Sequence, residues 1–499
     1  DLLNESGEPK QINLYKTPKY IFYFIGDGVA GPQINVTEAA LYNPDFRLKS
    51  TKDVGLGEMN IQKFPVTGMQ TTHAEDRYIT GSAASATALS CGKKTTIGTI
   101  GMNGDHTETY KTMAEMAKEK GMKVGIISSV SIDHATPACF YAHTESRNNY
   151  YTIGQQLTQS DFDYFAGGGV RWNKYSGEGQ PKDINVFIDA AEANGYKYVD
   201  SRSEFEALSP EDGKVIATLE LFRTYTSDGC ALPYVVDLDE QESENNTITL
   251  SEYTAKGIEL LKDTTNGFFM MIEGGKIDWA CHANDVVSAA HNTVEFDNAI
   301  GVALEFYEKH KDETVIIITG DHECGGLTLG YSATGYETAF EMLNHQSVSY
   351  VSFTETVMSW RNSGITFDEA LEVVKESFGL GDAEKGLELS KYEKNLLKDA
   401  FIRSMLGISH HEDEEIKVIY GYYDPFTVTV THILNNKAGI DWTSYSHTGV
   451  PVPVFAKGQG QHVFNGYYDN TDIALKIMKI AKLDPSLVED EVDLSGFEY

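Results

Sequence analysis

Four short apolar runs, each set between helical stretches, constrain this chain most. They are Tyr20-Ile-Phe-Tyr-Phe-Ile25, Val124-Gly-Ile-Ile127, Phe268-Phe-Met-Met-Ile272 and Val315-Ile-Ile-Ile318. A strand with one wet face alternates polar and apolar residues, whereas a strand covered on both faces does not. Helical patterns lie between them, from Glu108 to Lys120, from near Ser251, and from about Asn284 to Lys309. This rhythm predicts an α/β fold with a doubly wound, mostly parallel central sheet and helices on both faces. Val452 to Ala456 adds a late strand. The stretch from Gly335 to Asn435 breaks the rhythm. Its helical patterns, Asp368 to Phe378 and Ser390 to Leu406, precede a β-like run, Phe426 to Ile433. Segment 335–435 therefore reads as a large, partly helical insertion within one domain spanning 1–499, a lid or an interface segment. His410-His411, in an acidic stretch, reads as a solvated loop rather than a metal site.

Polar residues collect where the apolar runs stop. Asp27 follows the first, His134 and Thr136 follow the second, Glu273 ends the third, and Asp321 and His322 end the fourth. Open α/β sheets bind ligands at the carboxyl ends of their strands. One such aspartate is ordinarily a cap or turn residue, but four strands delivering carboxylate or imidazole to one edge point to a site. Asp278 and His282, four residues apart, share a face on a helical turn. Carboxylates with neutral imidazoles suit zinc or a similar divalent ion. Asp, Glu and a Thr hydroxyl suit magnesium. In Thr80-Gly-Ser-Ala-Ala-Ser-Ala-Thr-Ala88 a tight turn precedes a helix of small residues. Ser82 falls at its N-terminus, where free N–H groups and the helix dipole favour an anion. A plain serine cap fits the same place.

Charge narrows the partners. With 40 basic and 74 acidic residues the formal net charge is −34. Such a field disfavours nucleic acid and anionic membrane surfaces, and an anionic substrate requires bound cations to reverse it locally. No apolar run is long enough to span a membrane. The five cysteines contain no CxxC pair, so they read as small core residues rather than a thiolate zinc site. The start at Asp1 suits a processed, exported protein.

Taken in order, Ile25-Gly-Asp-Gly28, Thr80 to Ala88, His134-Ala-Thr-Pro137, Glu273 to Asp278 with His282, Thr319-Gly-Asp-His-Glu323 and His447-Thr-Gly449 resemble the alkaline phosphatase family across most of the chain. The resemblance implies hydrolysis of small-molecule phosphate monoesters, with inorganic phosphate as product and inhibitor. It implies two zinc ions and one magnesium ion per chain, a homodimer, and a periplasmic or secreted location. It assigns Ser82 as the nucleophile that becomes phosphoserine. Asp278, His282 and His447 would bind one zinc and Asp27, Asp321 and His322 the other. Asp27, Thr136 and Glu273 would hold magnesium, and Arg147 would clamp the phosphate. Three positions depart from common family patterns. Gly81 replaces an aspartate before the nucleophile, which leaves Arg147 less restrained. His134 and Trp279 change the surroundings of the third metal, which could then be zinc. The rival readings are a sulfatase or phosphodiesterase of the same superfamily, and a non-enzymatic metal- or phosphate-binding protein.

Overall fold

The structure, a computed structural model, describes residues 11–13, 15–40, 56–172, 183–220, 230–238, 247–407, 414–487 and 491–493. His410 and His411 lie outside them. Ten strands form the central sheet: β1 (Tyr20–Gly26), β2 (Val66–Thr71), β3 (Lys123–Ser128), β4 (Tyr164–Gly167), β5 (Tyr196–Val199), β6 (Lys214–Ala217), β7 (Phe268–Glu273), β8 (Thr314–Gly320), β9 (Val452–Gly458) and β10 (Gly466–Asp469). Their spatial order is β10-β2-β9-β8-β1-β7-β3-β4-β6-β5. β9 runs antiparallel to both neighbours, and the other pairings are parallel.

The four apolar runs are the adjacent central strands β8, β1, β7 and β3. Every residue of β8, β1 and β7 is buried, which is why their sequences do not alternate. Their register brings the carboxyl ends level. Ile25 lies opposite both Glu273 and Thr319, Gly26 opposite Gly320, and Ser128 opposite Glu273. Residues just beyond these positions therefore converge on one patch of the sheet edge.

The helices are shorter than their patterns. Thr112 caps Met113–Glu119 through a reciprocal bond with Glu115, so that helix starts later than Glu108. Asn284 takes a left-handed φ of 54° and separates the helix Lys276–His282 from Val286–Lys309.

The segment read as an insertion is helical, with Tyr350–Trp360, Phe367–Phe378, Lys391–Met405, Glu414–Tyr420 and Pro425–Lys437. The last of these corrects the β-like reading of Phe426 to Ile433. β-Branched residues favour strands only where a sheet is there to receive them. Here Asp424 caps the helix, accepting from Thr427 N, and Pro425 occupies its first turn. Thr429 and Thr431 turn their hydroxyls back to the carbonyls of Pro425 and Val428, so neither hydroxyl is left unpaired.

The insertion shares the hydrophobic core that also holds β1, β7 and Val286–Lys309. Phe426 is fully buried, with its ring centroid 5.6 Å from Phe401, 6.1 Å from Trp360 and 6.2 Å from Phe353. Phe426→Ala is expected to cost about 3–5 kcal/mol in denaturant unfolding. A single transition would show the insertion unfolding with the sheet, whereas a separate early transition would show an independent unit.

Candidate metal centre and active site

The polar residues at the four strand ends meet. Asp27, Asp321 and His322 form one group of potential metal donors, and Asp278, His282 and His447 form another, each with its donor atoms within 4.8 Å of one another. In the first group His322 Nε2 lies 3.3 Å from Asp27 Oδ1 and 3.2 Å from Asp321 Oδ2. Asp321 is held by Gly28 N and by the Ser85 hydroxyl, both at 3.2 Å. Gly28 is required there: its φ is +75°, and a β-carbon would stand 2.9 Å from Asp278 Cα.

In the second group Asp278 and His282 do share a helix face, 3.3 Å apart. His447 comes from a two-residue strand paired with Glu323–Cys324, and its Nε2 lies 3.5 Å from Asp278 Oδ1. Both imidazoles are oriented from behind. His282 Nδ1 donates to the Tyr445 carbonyl at 2.7 Å, and His447 Nδ1 donates to the Thr80 carbonyl at 2.8 Å. That choice of tautomer turns both Nε2 lone pairs inward, 3.1 Å apart, as ligation of one ion requires.

Ser82 begins the buried helix Ser82–Cys91, whose N-cap Gly81 supplies no side-chain bond. Its hydroxyl lies 3.3 Å from His322 Nε2. Small residues along the helix allow it to be buried over its whole length beside the metal donors. Thr136 Oγ1 reaches Asp27 Oδ2 at 3.5 Å. Glu273 accepts from Ser128 in a very short contact, and its other oxygen is buried with no hydrogen bond.

Electrostatics agree with a cation-binding cage. Burial first, then mutual repulsion, raises the carboxyls of Asp27, Asp321 and Glu273 well above their ordinary range. Burial also opposes charge on Asp278, but His282 and His447 more than offset it and hold that carboxyl low. Burial lowers His282, yet Asp278 and the Tyr445 carbonyl carry it up to about 9. Four buried carboxylates facing one another are stable together only when cations compensate them. These oxygen and imidazole donors fit divalent metal ions.

Arg147 Nη2 donates to His134 Nε2 at 3.1 Å, and its backbone N–H bonds Gly98 O at 2.8 Å. Burial and the nearby charges of Arg147 and Arg171 keep His134 well below its ordinary pKa, so a neutral imidazole accepts this bond. Trp279 stands edge-on to His134 at 5.7 Å.

The sequence reading did not single out several supporting groups. Ser85 and Ser128 hold carboxylates, and the carbonyls of Thr80 and Tyr445 aim two histidines. Arg171 donates through Nη1 to Tyr150 and lies 5.6 Å over the Trp279 ring. The place of Tyr445, two residues before His447, was the one available clue. Cys324 lies among the donors of the second group, but its thiol points to the Asp278 carbonyl at 3.6 Å and burial pushes its pKa far up. It is a neutral packing residue, and all five cysteines are buried and free.

The loop carrying Arg147 is anchored by a titrating pair. His143 Nε2 lies 3.0 Å from Glu115 Oε1, and Nδ1 bonds Gly101 O. Burial lowers His143, but Glu115 outweighs it and raises the imidazole above its ordinary value. Burial raises Glu115, but His143 and Thr112 bring it below its own. The histidine's contribution is complete below about pH 6.5 and is lost as pH rises through its raised folded pKa. The glutamate's is complete above its unfolded pKa, near 4.3, and is lost as pH falls through its lowered one. Glu115→Gln should therefore destabilise most between these limits, and its deficit should shrink toward alkaline pH. Melting curves across that range check this, and a deficit independent of pH would contradict it.

Comparison with known proteins places this geometry. The alkaline phosphatase family profile matches residues 18–483. Alkaline phosphatase 3 of Bacillus subtilis is 32% identical over 92% of this chain and 88% of its own length. Among solved structures, the cold-active alkaline phosphatase of a psychrophilic Shewanella superposes with a TM-score of 0.73 at 27% identity, covering 93% of this chain and all of that one. A mutant alkaline phosphatase from the Antarctic bacterium TAB5, with aspartate in place of a histidine and Mg bound in its M3 site, covers 94% of this chain and 99% of its own at 26% identity and a TM-score of 0.61. The chain belongs to the alkaline phosphatase family and is a phosphomonoester hydrolase.

Proposed function

We propose that hydrolysis proceeds through a phosphoserine on Ser82, with Asp278, His282 and His447 holding one zinc, Asp27, Asp321 and His322 a second, and Asp27, Thr136 and Glu273 a magnesium. The observation that carries this reading is the Ser82 hydroxyl, at a helix N-terminus and 3.3 Å from the imidazole of a three-donor cluster. When bound by these residues, divalent ions would supply positive charge to the reacting oxygens and would lower the pKa of a hydroxyl or water.

The chain's own residues do the rest. Arg147 presents a planar fork to two phosphate oxygens, with His134 fixing its outer nitrogen. The free N–H groups of the first helical turn face the same anion. Ser82 Oγ forms the new bond to phosphorus as the bond to the alcohol oxygen breaks, and the alcohol leaves with a proton. Water then cleaves the phosphoserine, releasing inorganic phosphate and restoring the hydroxyl. Charge placement, more than acid–base chemistry, governs this reaction.

His134 is also suited to the third metal's surroundings, because its Nδ1 is buried without a hydrogen bond. The TAB5 mutant, with aspartate for histidine, holds Mg in its M3 site, which supports a magnesium at the third site here. Export to the periplasm or outside the cell, and a homodimer, belong to the same reading. Removing metals with a chelator should abolish turnover of p-nitrophenyl phosphate, and zinc with magnesium should restore it. Turnover indifferent to the chelator would end the metal assignment.

A further inference from the structure

A cleft of about 460 Å³ opens beside the metal donors. His134, Arg171, Trp279 and His282 form its floor, and the insertion forms the facing wall. Tyr350, Thr354 and Met358 recur at helical spacing along one face of Tyr350–Trp360. The opposite face, Phe353, Val357 and Trp360, is buried in the core.

The wall is fixed in place. Tyr350 N donates to the buried carboxylate of Asp285 at 2.9 Å, which also accepts from Gln346. The Tyr350 ring meets Tyr234 and Tyr423 edge-on. Beside it, Gly421 and Tyr422 are successive left-handed residues, with φ of 59° and 69°. A tyrosine held in that region is the kind of strain that gathers at ligand clamps. The wall's charges have one sign. Glu355 and Asp424 line it, and no Lys or Arg of the insertion does so among the described residues.

We propose that this cleft is a leaving-group subsite that selects phosphate monoesters whose alcohol carries an uncharged planar ring, nucleoside monophosphates being the class it fits. The proposal rests on the phosphomonoesterase reading above and adds a preference that recognition of phosphate alone would not produce. Tyr422 and Met358 are the exposed apolar groups of the wall: the tyrosine offers a ring, and the methionine a polarisable thioether that packs on aromatic groups. Glu355, exposed on the wall, disfavours an alcohol that brings further phosphates, whereas the buried Asp424 carboxylate caps its helix and faces Arg361 at 3.9 Å.

The test compares kcat/KM for AMP, ATP and glycerol 2-phosphate with zinc- and magnesium-loaded enzyme. Wild type should prefer AMP to both. Met358→Ala should shrink the AMP to glycerol 2-phosphate ratio about fivefold, chiefly through KM. Glu355→Arg should raise the ATP to AMP ratio about tenfold at low salt. Both side chains are exposed, so neither change should disturb folding. Equal turnover of AMP and glycerol 2-phosphate by wild type, or ratios that neither variant moves, would overturn the subsite while leaving the phosphatase reading intact. Failure of the loaded enzyme to hydrolyse any ester would overturn both.

Discussion

Ser82→Ala is expected to lower kcat by about 10³-fold or more and to leave the zinc and magnesium content unchanged. The Ser82 hydroxyl stands at the helix N-terminus, 3.3 Å from His322 of the first donor cluster. Removing it takes away the atom proposed to bond to phosphorus but none of the proposed ligands. The β-carbon remains, and alanine suits a helix already built of small residues. Folding should therefore be preserved, and a melting temperature near that of wild type would confirm it. Residual turnover would come from water attacking the positioned ester directly. A kcat close to wild type would remove Ser82 from the mechanism.

Asp278→Ala should have an effect of similar size by a different route. Asp278 faces both His282 and His447, at 3.3 and 3.5 Å. Without it, two imidazole nitrogens 3.1 Å apart keep their backbone anchors but lose the carboxylate that completes the donor set. Zinc affinity should fall at least about 100-fold, taking the loss of an outer-shell partner as the lower bound, and kcat/KM should fall with it. High zinc should recover part of the activity, which Ser82→Ala would not allow. Metal titration of the apo-protein with a competing chelator reads the affinity directly. Unchanged affinity would mean that Asp278 is not a ligand.

Much of this site could be read from the chain because its parts sit where strand patterning stops. An apolar run has to end at the sheet edge, so Asp27, Glu273, Asp321 and His322 were placed by the residues before them. Helical periodicity put Asp278 and His282 on one face without further information. What escaped was what depends on distant partners. The carbonyls of Thr80 and Tyr445 aim two histidines, and a carbonyl carries no residue identity. Phe426 to Ile433 has a strand's composition but a helix's surroundings, and Asp424 with Pro425 decides in favour of the helix. The hydrogen bond between Arg147 and His134 became visible only once the loop was folded. The wall that the insertion raises across the cleft joins residues about 70 positions apart in the chain to the metal helix, a relation no local pattern encodes.

A covalent bond between Ser82 and phosphate is the central step of the proposed reaction, and trapping that bond tests it most directly. Metal-loaded enzyme would be mixed with inorganic phosphate at mildly acid pH, quenched and digested, and its peptides examined by mass spectrometry. The account predicts one added phosphoryl group on the peptide containing Ser82, absent from Ser82→Ala and from chelated protein. An enzyme that hydrolyses phosphate monoesters but shows no such adduct, or carries it on another residue, would contradict it.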